Sequence, residues 1–406
     1  MELDFFNGLN SRQEEAVRHT QGPCMILAGA GSGKTKVLTC RIANLIVNEG
    51  ISPNSIMAIT FTNKAAQEMK NRIRNMIPDY NGQWIQTFHA ACYKILRMDI
   101  HHLGYDRNFV IMDDSDCKNL LKSTLKENQF YDIKAEDLLY PIKQMKNRLT
   151  KPEEFFANMK LSFELKEKYW QIYRAYNRQL KEINALDFED LIVLCIKLFR
   201  KFPEVLEKYQ NWFRYILVDE YQDTNMSQYD LINCLSAQDK NLFIVGDPDQ
   251  SIYSWRGAEP YNIKRFLKDY PEARVIKLEQ NYRSTGNILN AANHVINYNT
   301  EREDKQLFTD SGPGVPITCF CAPDSFQEAR FIAENINDAV NIEGCHYRDC
   351  AVFYRADLSE PLVGQKYFGS GRVAGDDDLG IPDQEILEIH VDEHALHASI
   401  CGNVPA

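Results

Sequence analysis

The chain has 406 residues, room for about two to four domains, and its 44% hydrophobic and 25% charged residues are typical of a folded globular protein. The formal net charge of −11 does not favour a nucleic-acid partner on charge alone, so any polyanion site must be a local patch. No membrane-length apolar run, no basic leader and eleven scattered cysteines predict a cytoplasmic protein with reduced thiols and no membrane partner.

Short apolar, β-branched runs alternate with longer helical stretches, a pattern typical of α/β proteins with a parallel sheet. Buried strands are predicted at residues 24–27, 56–61, 215–218, 242–246 and 275–278. Each run is followed by polar or glycine-rich residues. Ligand-binding loops of such folds lie at the carboxyl ends of the strands, so functional residues are expected there.

Three other stretches differ from this pattern. Residues from about 99 to 185 are rich in Lys, Glu, Tyr and Leu with few strand signals, which predicts an all-helical insertion. A new α/β unit is predicted from residue 281, with strands at 317–320 and 350–354. From about residue 358 onward no periodic element is recognised.

The strongest motif is a glycine-rich loop between the first predicted strand and a helical stretch at 36–47. Backbone N–H groups of such a loop converge on phosphate oxygens at a helix N-terminus, with Lys34 reaching the β- and γ-phosphates and Thr35 binding Mg²⁺. The alternative is a glycine-rich turn with a chance Lys-Thr pair, which the flanking strand and helix disfavour. The predicted nucleotide-binding residues here are Ala28, Gly29, Ala30, Gly31, Ser32, Gly33, Lys34, Thr35 and Lys36, and Ala28 stands where the pattern has Gly.

A second motif is the apolar run 216–218 followed by two acids. Asp219 is predicted to bind Mg²⁺ and Glu220 to activate the attacking water. Alone, such a pair is more often a solvated strand end. Together with the phosphate loop, it indicates an ATP-hydrolysing site.

With their neighbours, these motifs resemble those of UvrD/PcrA/Rep-type superfamily 1 DNA helicases. The motifs follow one another in the family's order over about residues 9–355. The matching segments are 9–10 with Gln13 (the Q motif), 60–66 (Ia), 87–90 (Ib), 187–191, 218–225 (II), 245–258 (III) and 278–285 (IV).

The resemblance implies a RecA-like ATPase core with a helical subdomain inserted into it, and a second RecA-like core that begins at motif IV. The expected boundaries are 1–100 with 185–280 for the first core, 101–184 for the inserted subdomain, 281–357 for the incomplete second core and 358–406 for an unmatched tail.

Roles at the nucleotide follow from the same resemblance. Gln13 is expected to hydrogen-bond adenine, and Tyr282 to stack on it. Gln250 is expected to couple nucleotide state to DNA grip. Arg283 is expected to stabilise transition-state charge, whereas an isolated Arg would be read as a surface ion pair. With Glu220, Gln250 and Arg283 form the predicted catalytic set, and Lys36 stands where relatives often carry Arg.

The resemblance also supplies a DNA site. Phe61, Tyr253 and Trp255 are expected to stack on unpaired bases; the alternative for each ring is the hydrophobic core. Further contacts to phosphates or bases are expected from Thr62, Asn63, Thr87, His89 and Arg256. A basic cluster in the insertion is expected to contact duplex DNA or else to be a solvated helix end; it comprises Lys143, Lys146, Arg148 and Lys151.

Beyond residue 358 no counterpart of motifs V and VI is found, and a frameshift, a gene fragment or a divergent end would all look alike. We therefore expect the chain as given to bind nucleotide but to show little DNA-stimulated ATPase and no unwinding, since a second arginine finger is missing. His390 to His394 fits a zinc pattern, and Cys319, Cys321, Cys345 and Cys350 offer thiols, but neither set is expected to bind metal.

The sequence thus predicts an ATP-dependent 3′-to-5′ DNA helicase in repair or replication. Its cofactors are ATP and Mg²⁺, and its partners are single-stranded DNA and single/double-strand junctions. The alternative is a catalytically weak ATP- and DNA-binding module or an inert fragment. A nucleotide kinase is a third possibility, disfavoured by the aromatic loop at 250–256.

Overall fold

The computed structural model describes residues 5–252, 261–299, 305–342 and 344–353. Within them the strands are β1 Cys24–Ala28, β2 Ile56–Thr60, β3 Ile85–Thr87, β4 Val110–Ile111, β5 Ala185–Leu186, β6 Tyr215–Val218, β7 Leu242–Gly246 and β8 Arg274–Leu278. The α-helices are α1 Ser11–Arg18, α2 Lys34–Val47, α3 Asn63–Met76, α4 Phe88–Asp99, α5 Asp114–Glu127, α6 Ala135–Asn147, α7 Pro152–Ala157, α8 Phe163–Glu182, α9 Asp190–Lys201, α10 Pro203–Trp212, α11 Met226–Ser236, α12 Tyr261–Asp269, α13 Gly286–Ile296 and α14 Ser325–Asn341.

Six strands form one parallel sheet in the order β3-β2-β6-β7-β1-β8. The strands β1, β2, β6 and β7 are buried along their whole length. Their residues alternate between two core clusters, with Met25 and Leu27 in one and Cys24 and Ile26 in the other. Because both faces of the sheet are covered, these strands are continuous apolar runs in the sequence.

The predicted fold class is confirmed, and the five strands predicted for the main sheet agree with the structure to within one residue at each end. The prediction missed β3, because three residues are too few to establish a period. All five predicted carboxyl ends lie at one edge of the sheet, since the strands run parallel.

The insertion packs helices α5 to α8 around their own core, which includes Leu121, Leu138, Ile142 and Ile172. The prediction that it is all-helical needs one correction. The two-residue strand β4 lies within it and pairs in parallel with β5, Val110 opposite Ala185 and Ile111 opposite Leu186. Two residues carry too weak a pattern to be recognised as a strand in the sequence.

The chain folds into two compact units. One comprises Met1–Asn281 and Ile296–Phe308, the other Tyr282–Val295 and Thr309–Ala406. In the described part of the second unit, α14 packs Ile332 and Ile336 with Val352.

The two strands predicted for the second unit are wrong as far as it is described. Residues 317–320 form no strand, and between 350 and 353 only an isolated bridge occurs. The Phe320 ring stacks on Phe331 of α14, with centroids 4.1 Å apart. An apolar run forms a strand only where a ladder partner satisfies its backbone, and here its ring packs on a helix instead.

No helix in the described part of the chain is both long enough and apolar enough to cross a lipid bilayer.

Candidate nucleotide site and aromatic pocket

The glycine-rich loop joins β1 to α2. Gly31 and Gly33 have positive φ angles of 66° and 82°, a conformation that side-chain-bearing residues adopt only with strain. At Gly29 the limit is space, because a Cβ there would lie 2.1 Å from Leu307 Cδ2 and that side chain would have to move. Helix α2 begins at Lys34 with no side-chain cap and no acidic residue in its first turn. Its N-terminus therefore favours an anion, as the phosphate-binding prediction requires.

The loop is held by neighbouring polar groups. Ser32 is buried, and its hydroxyl donates to the Gly29 carbonyl at 2.8 Å. The Gln13 amide donates to the Ser32 carbonyl at 2.9 Å and accepts from the Asn10 backbone N–H at 3.0 Å. The structure therefore places Gln13, predicted to bind adenine, as a support of the phosphate loop.

The remaining predicted loop residues lie around it. Ala28 is the buried last residue of β1, and the Ala30 carbonyl accepts from the Asn281 amide at 2.6 Å. Thr35 is in the first turn of α2. Lys36 is exposed and donates to the Gly8 carbonyl at 2.7 Å.

The acid pair of motif II follows β6. The Asp219 backbone N–H donates to the Ile59 carbonyl at 2.9 Å, so its position is fixed by the sheet. Glu220 has a φ of 48°, a left-handed conformation that is uncommon for a non-glycine residue. Its carboxylate forms an ion pair with Lys34, Nζ to Oε2 3.1 Å. The sheet thus brings the phosphate-loop lysine and the predicted base into contact.

Asp219 is nearly buried, and this has an electrostatic consequence. Burial, with a smaller contribution from the charge of Glu220, raises the pKa of the Asp219 carboxyl to about 7, although Lys34 opposes the shift. A divalent cation would offset the cost of that buried charge. Carboxylate and hydroxyl oxygens are the donors that Mg²⁺ prefers, so Asp219 and Thr35 fit the predicted ion.

Gln222 is a residue whose role the sequence did not reveal. Its buried amide donates to Glu220 Oε2 at 2.9 Å, and its carbonyl oxygen accepts from the Asp247 backbone N–H at 2.9 Å. Gly246 leaves room for it, since a Cβ there would lie 2.9 Å from Gln222 Oε1. Gln250, predicted to be catalytic, donates to Asp247 Oδ2. A continuous hydrogen-bonded path therefore runs from motif II to motif III.

A buried lysine further along the chain supports motif III. Lys305 forms ion pairs with Asp247 and, at 3.2 Å, with Asp249. It lies 58 residues from Asp247 in sequence. A lone lysine at that separation gives no local pattern from which the contact could be inferred.

A cavity of about 590 Å³ lies beside the end of β3. We call it the aromatic pocket; its lining includes Asn63, Thr87, His89, Arg97, Ile111 and Phe188. The rings of His89 and Phe188 are stacked, with centroids 3.8 Å apart and planes at 20°. Burial lowers the pKa of His89 to about 4, so its imidazole is neutral near pH 7.

The predicted DNA residues divide into two groups. Asn63, Thr87 and His89 line the aromatic pocket together, whereas Phe61 and Thr62 are not among its lining residues. Thr62 and Thr87 are N-caps, each hydroxyl accepting a backbone N–H from the first turn of α3 and α4 respectively. An N-cap is the structural role these threonines have in their own right.

Phe188 is one of the pocket residues that the sequence analysis did not assign to the DNA site; Arg97 and Ile111 are others. Phe188 is 47% exposed. The signal available in the sequence was its position between two acids in the segment 187–191, which favours a turn over a core strand.

Several predicted residues cannot be joined to these sites. Tyr253, Trp255 and Arg256 lie outside the residues that the structure describes. Tyr282 and Arg283 are exposed residues of the second unit.

The predicted basic cluster of the insertion is wrong for Lys146. Its side chain is only 3% exposed and forms ion pairs with Asp187 at 2.5 Å and Asp190 at 2.7 Å. Lys143 pairs with Asp114 at 2.5 Å, whereas Arg148 and Lys151 are exposed. The sequence could not reveal the burial of Lys146, because its acidic partners, Asp187 and Asp190, come after the insertion in the sequence.

The cysteines in the described residues, including Cys319, Cys321, Cys345 and Cys350, are free thiols. Those residues contain no His, Cys, Asp and Glu cluster of three or more suited to a metal ion. His390 and His394 lie outside them.

Comparison with known proteins agrees with the motifs. Residues 9–271 match the UvrD/REP helicase N-terminal domain, and residues 276–365 match the UvrD-like helicase C-terminal domain. The chain is 46% identical to the ATP-dependent DNA helicase PcrA of Staphylococcus aureus over 367 residues, 90% of this chain and 50% of the relative. PcrA of Staphylococcus epidermidis is likewise 46% identical over 365 residues, 89% of this chain and 50% of the relative. The chain thus spans about half the length of these relatives, and it belongs to the UvrD/Rep family of DNA helicases.

Proposed function

We propose that this chain binds Mg-ATP and single-stranded DNA and acts as part of the motor of an ATP-dependent 3′-to-5′ DNA helicase in DNA repair or replication, in the cytoplasm. The relatives are ATP-dependent DNA helicases, which supports the DNA substrate. The observation that carries the proposal is the contact between Lys34 of the phosphate loop and Glu220 of motif II.

At the nucleotide, we assign triphosphate binding to Lys34 and the α2 N-terminus, and the magnesium ion to Thr35 and Asp219. The ion would shield the charge of the phosphates and of the buried Asp219. The Lys34 ammonium and the Glu220 carboxylate form an ion pair. A triphosphate competes for Lys34, which frees the Glu220 carboxylate to accept a proton from the attacking water.

Gln222 and Gln250 extend this chemistry away from the phosphate. Gln222 bonds the Glu220 carboxylate with its amide N–H and the Asp247 backbone with its carbonyl oxygen, so a shift of Glu220 would be transmitted to motif III. We assign the coupling of nucleotide state to the strand to this path. Arg283 and Tyr282 are assigned to the γ-phosphate and adenine on the family resemblance alone.

At the DNA, we assign an unpaired base to the aromatic pocket. Phe188 offers an exposed face, and His89, being neutral, offers a ring and a hydrogen-bonding nitrogen in place of a charge. Stacking on such rings is tolerant of base identity and contributes about 1–3 kcal/mol per base. Asn63 and Thr87 add polar groups for the sugar, phosphate or base edge.

The test measures ATP hydrolysis and strand separation by the purified chain. Single-turnover hydrolysis is followed with and without oligo-dT, together with unwinding of matched 3′-tailed and 5′-tailed duplexes. Hydrolysis that accelerates with oligo-dT, together with opening of the 3′-tailed duplex alone, would support the helicase and contradict the low activity predicted for the chain from its sequence. A chain that binds both ligands without stimulated hydrolysis is instead the weak binding module. Phosphate transfer to a nucleoside monophosphate would indicate a kinase.

A further inference from the structure

A buried ionic cluster connects the helical insertion to the turn that carries Phe188. Lys146 of α6 and Tyr176 of α8 meet Asp187 and Asp190, and every one of these side chains is buried. The Lys146 ammonium donates to Asp187 Oδ2 at 2.5 Å and pairs with Asp190 Oδ1 at 2.7 Å. The Tyr176 hydroxyl donates to Asp187 Oδ2 at 3.2 Å. We call these four residues the lysine clamp.

The two carboxylates of the lysine clamp also shape the turn between them. The Asp190 backbone N–H donates to Asp187 Oδ1 at 2.9 Å, and the Asp187 N–H donates to Asp190 Oδ2 at 3.3 Å. These reciprocal bonds fix the backbone on both sides of Phe188. The fixed turn leaves the Phe188 ring exposed against His89. The backbone that carries the ring is therefore held in one conformation.

Electrostatics makes the lysine indispensable to this arrangement. The carboxylates of Asp187 and Asp190 repel each other because both lie against the same ammonium group. Burial removes the water that would screen this repulsion. Burial disfavours the Lys146 charge, but the attraction of Asp187 and Asp190 outweighs it and raises the lysine's pKa. Burial and the charge of Asp187 raise the pKa of Asp190 to about 6 even beside Lys146. Removing the cation therefore leaves buried carboxylates that must take up a proton or stay unpaired, whereas a surface ion pair has little effect when lost.

The lysine clamp has more polar contacts than are needed to attach one helix to another. Both of its carboxylates have one oxygen on Lys146 and one on the backbone beside Phe188. A displacement of α6 or α8 must therefore move that turn. Attachment alone would be served equally well by apolar contacts, which the insertion already has.

We propose that Lys146 is a positioning residue for single-stranded DNA: it holds the Phe188 turn so that the ring presents its face to an unpaired base in the aromatic pocket. The inference rests on the proposed function, since it requires a base in that pocket. Lys146 itself touches no DNA. It acts through Phe188. The affinity for single-stranded DNA therefore depends on the position of the insertion relative to the Phe188 turn.

A double-mutant cycle on the whole chain tests this. Affinity for labelled oligo-dT is measured by fluorescence anisotropy, at one salt concentration, for wild type, Phe188→Ala, Lys146→Gln and the double variant. We expect Phe188→Ala to weaken binding about tenfold, Lys146→Gln to weaken it several-fold, and the double variant to bind no worse than Phe188→Ala. Lys118→Gln, on α5 of the insertion and paired with exposed Glu136, is the matched control and should bind like wild type.

A spectroscopic readout separates positioning from a general loss of structure. An oligonucleotide with one 2-aminopurine is quenched when that base stacks on a ring, and Lys146→Gln should lose the same quenching as Phe188→Ala. Nucleotide affinity, which monitors the folded sheet, should stay unchanged. Should Lys146→Gln fail to fold, Asp190→Asn keeps a neutral Lys146–Asp187 pair and should give a smaller loss of the same kind.

The outcomes are distinguishable. If Lys146→Gln or Asp190→Asn binds and quenches like wild type while Phe188→Ala is weakened, the inference is overturned and the aromatic pocket stands. Additive losses in the double variant also overturn it. If Phe188→Ala binds like wild type, the pocket does not hold a base, and both the inference and that part of the proposed function fail.

Discussion

The nucleotide site and the aromatic pocket lie at the same edge of one sheet, yet they are built from opposite chemistry. The nucleotide site consists of charges: Lys34 paired with Glu220 and a nearly buried Asp219. The aromatic pocket presents the stacked rings of Phe188 and of a His89 that burial keeps uncharged, with Arg97 as a cation in its lining. A phosphate chain requires fixed charge, whereas a strand of any sequence requires contacts that every base can make. The two sites should therefore respond to different perturbations.

The largest effect is expected at Glu220. Glu220→Gln keeps the shape and one hydrogen-bond acceptor but removes the proton acceptor. Single-turnover ATP hydrolysis should fall by about 10²–10⁴-fold, the contribution typical of a general base, while DNA affinity stays the same. Glu68→Gln, an exposed glutamate that pairs with Arg72, is the control and should hydrolyse ATP like wild type. Equal rates for Glu220→Gln and wild type would exclude Glu220 as the base.

The next effect is expected at Lys34. Lys34→Ala removes a charge-assisted contact to the phosphates, so Mg-ATP affinity should fall by about 10–100-fold. Isothermal titration calorimetry with a non-hydrolysable analogue measures it. Arg72→Ala, which removes an exposed cation of α3, should leave the affinity within about twofold of wild type. A Lys34→Ala chain that still binds tightly would contradict the assignment of the phosphate site.

A smaller effect is expected from pH. Because the pKa of Asp219 is raised to about 7, this carboxyl is protonated below pH 7 and Mg²⁺ must displace the proton. Mg²⁺-dependent nucleotide affinity should therefore fall by up to about tenfold per pH unit between pH 7 and 6, and level off above pH 8. In Asp219→Asn only the titration of the nucleotide itself remains. The affinity of wild type should therefore fall more steeply with decreasing pH than the affinity of this variant does. Parallel profiles would refute the role of Asp219.

The smallest effect concerns His89. Its pKa of about 4 means that the imidazole stays neutral from pH 8 to 6. The affinity for oligo-dT is measured by anisotropy at constant ionic strength and divided, for each protein, by its value at pH 8. These relative affinities of wild type and His89→Gln should agree within about twofold at every pH. A rise in wild-type affinity toward pH 6 that His89→Gln lacks would mean that the histidine binds a phosphate as a cation.

The sheet and the phosphate loop were predictable because their signals are local. Buried parallel strands are unbroken apolar runs, and Gly31 and Gly33 mark backbone conformations that only glycine adopts easily. Three residues of the aromatic pocket, Asn63, Thr87 and His89, were assigned to the DNA site from motifs, whereas Phe188 depends on a turn whose shape is set by the lysine clamp.

What could not be predicted depends on distant partners. Lys146 looked like a surface cation because Lys143, Arg148 and Lys151 lie near it in the sequence. Its ion pair with Asp187, 41 residues later in the sequence, makes it a core residue. The roles of Gln222 and Lys305 were not predicted for the same reason, because both contact Asp247 only in the folded chain. The strand predicted at 317–320 was wrong because an apolar run does not specify whether a strand or a helix will cover it.

The most direct test of the contrast between the two sites is a paired titration of Lys34→Ala and Phe188→Ala. Each variant is titrated with Mg-bound ATP analogue in the absence of DNA and with oligo-dT in the absence of nucleotide, with Phe163→Ala, an exposed ring of the insertion, as the control for the second variant. We predict that Lys34→Ala loses nucleotide but binds DNA, and that Phe188→Ala loses DNA but binds nucleotide. Loss of both ligands in either variant, or of neither, would contradict the separation of the two sites.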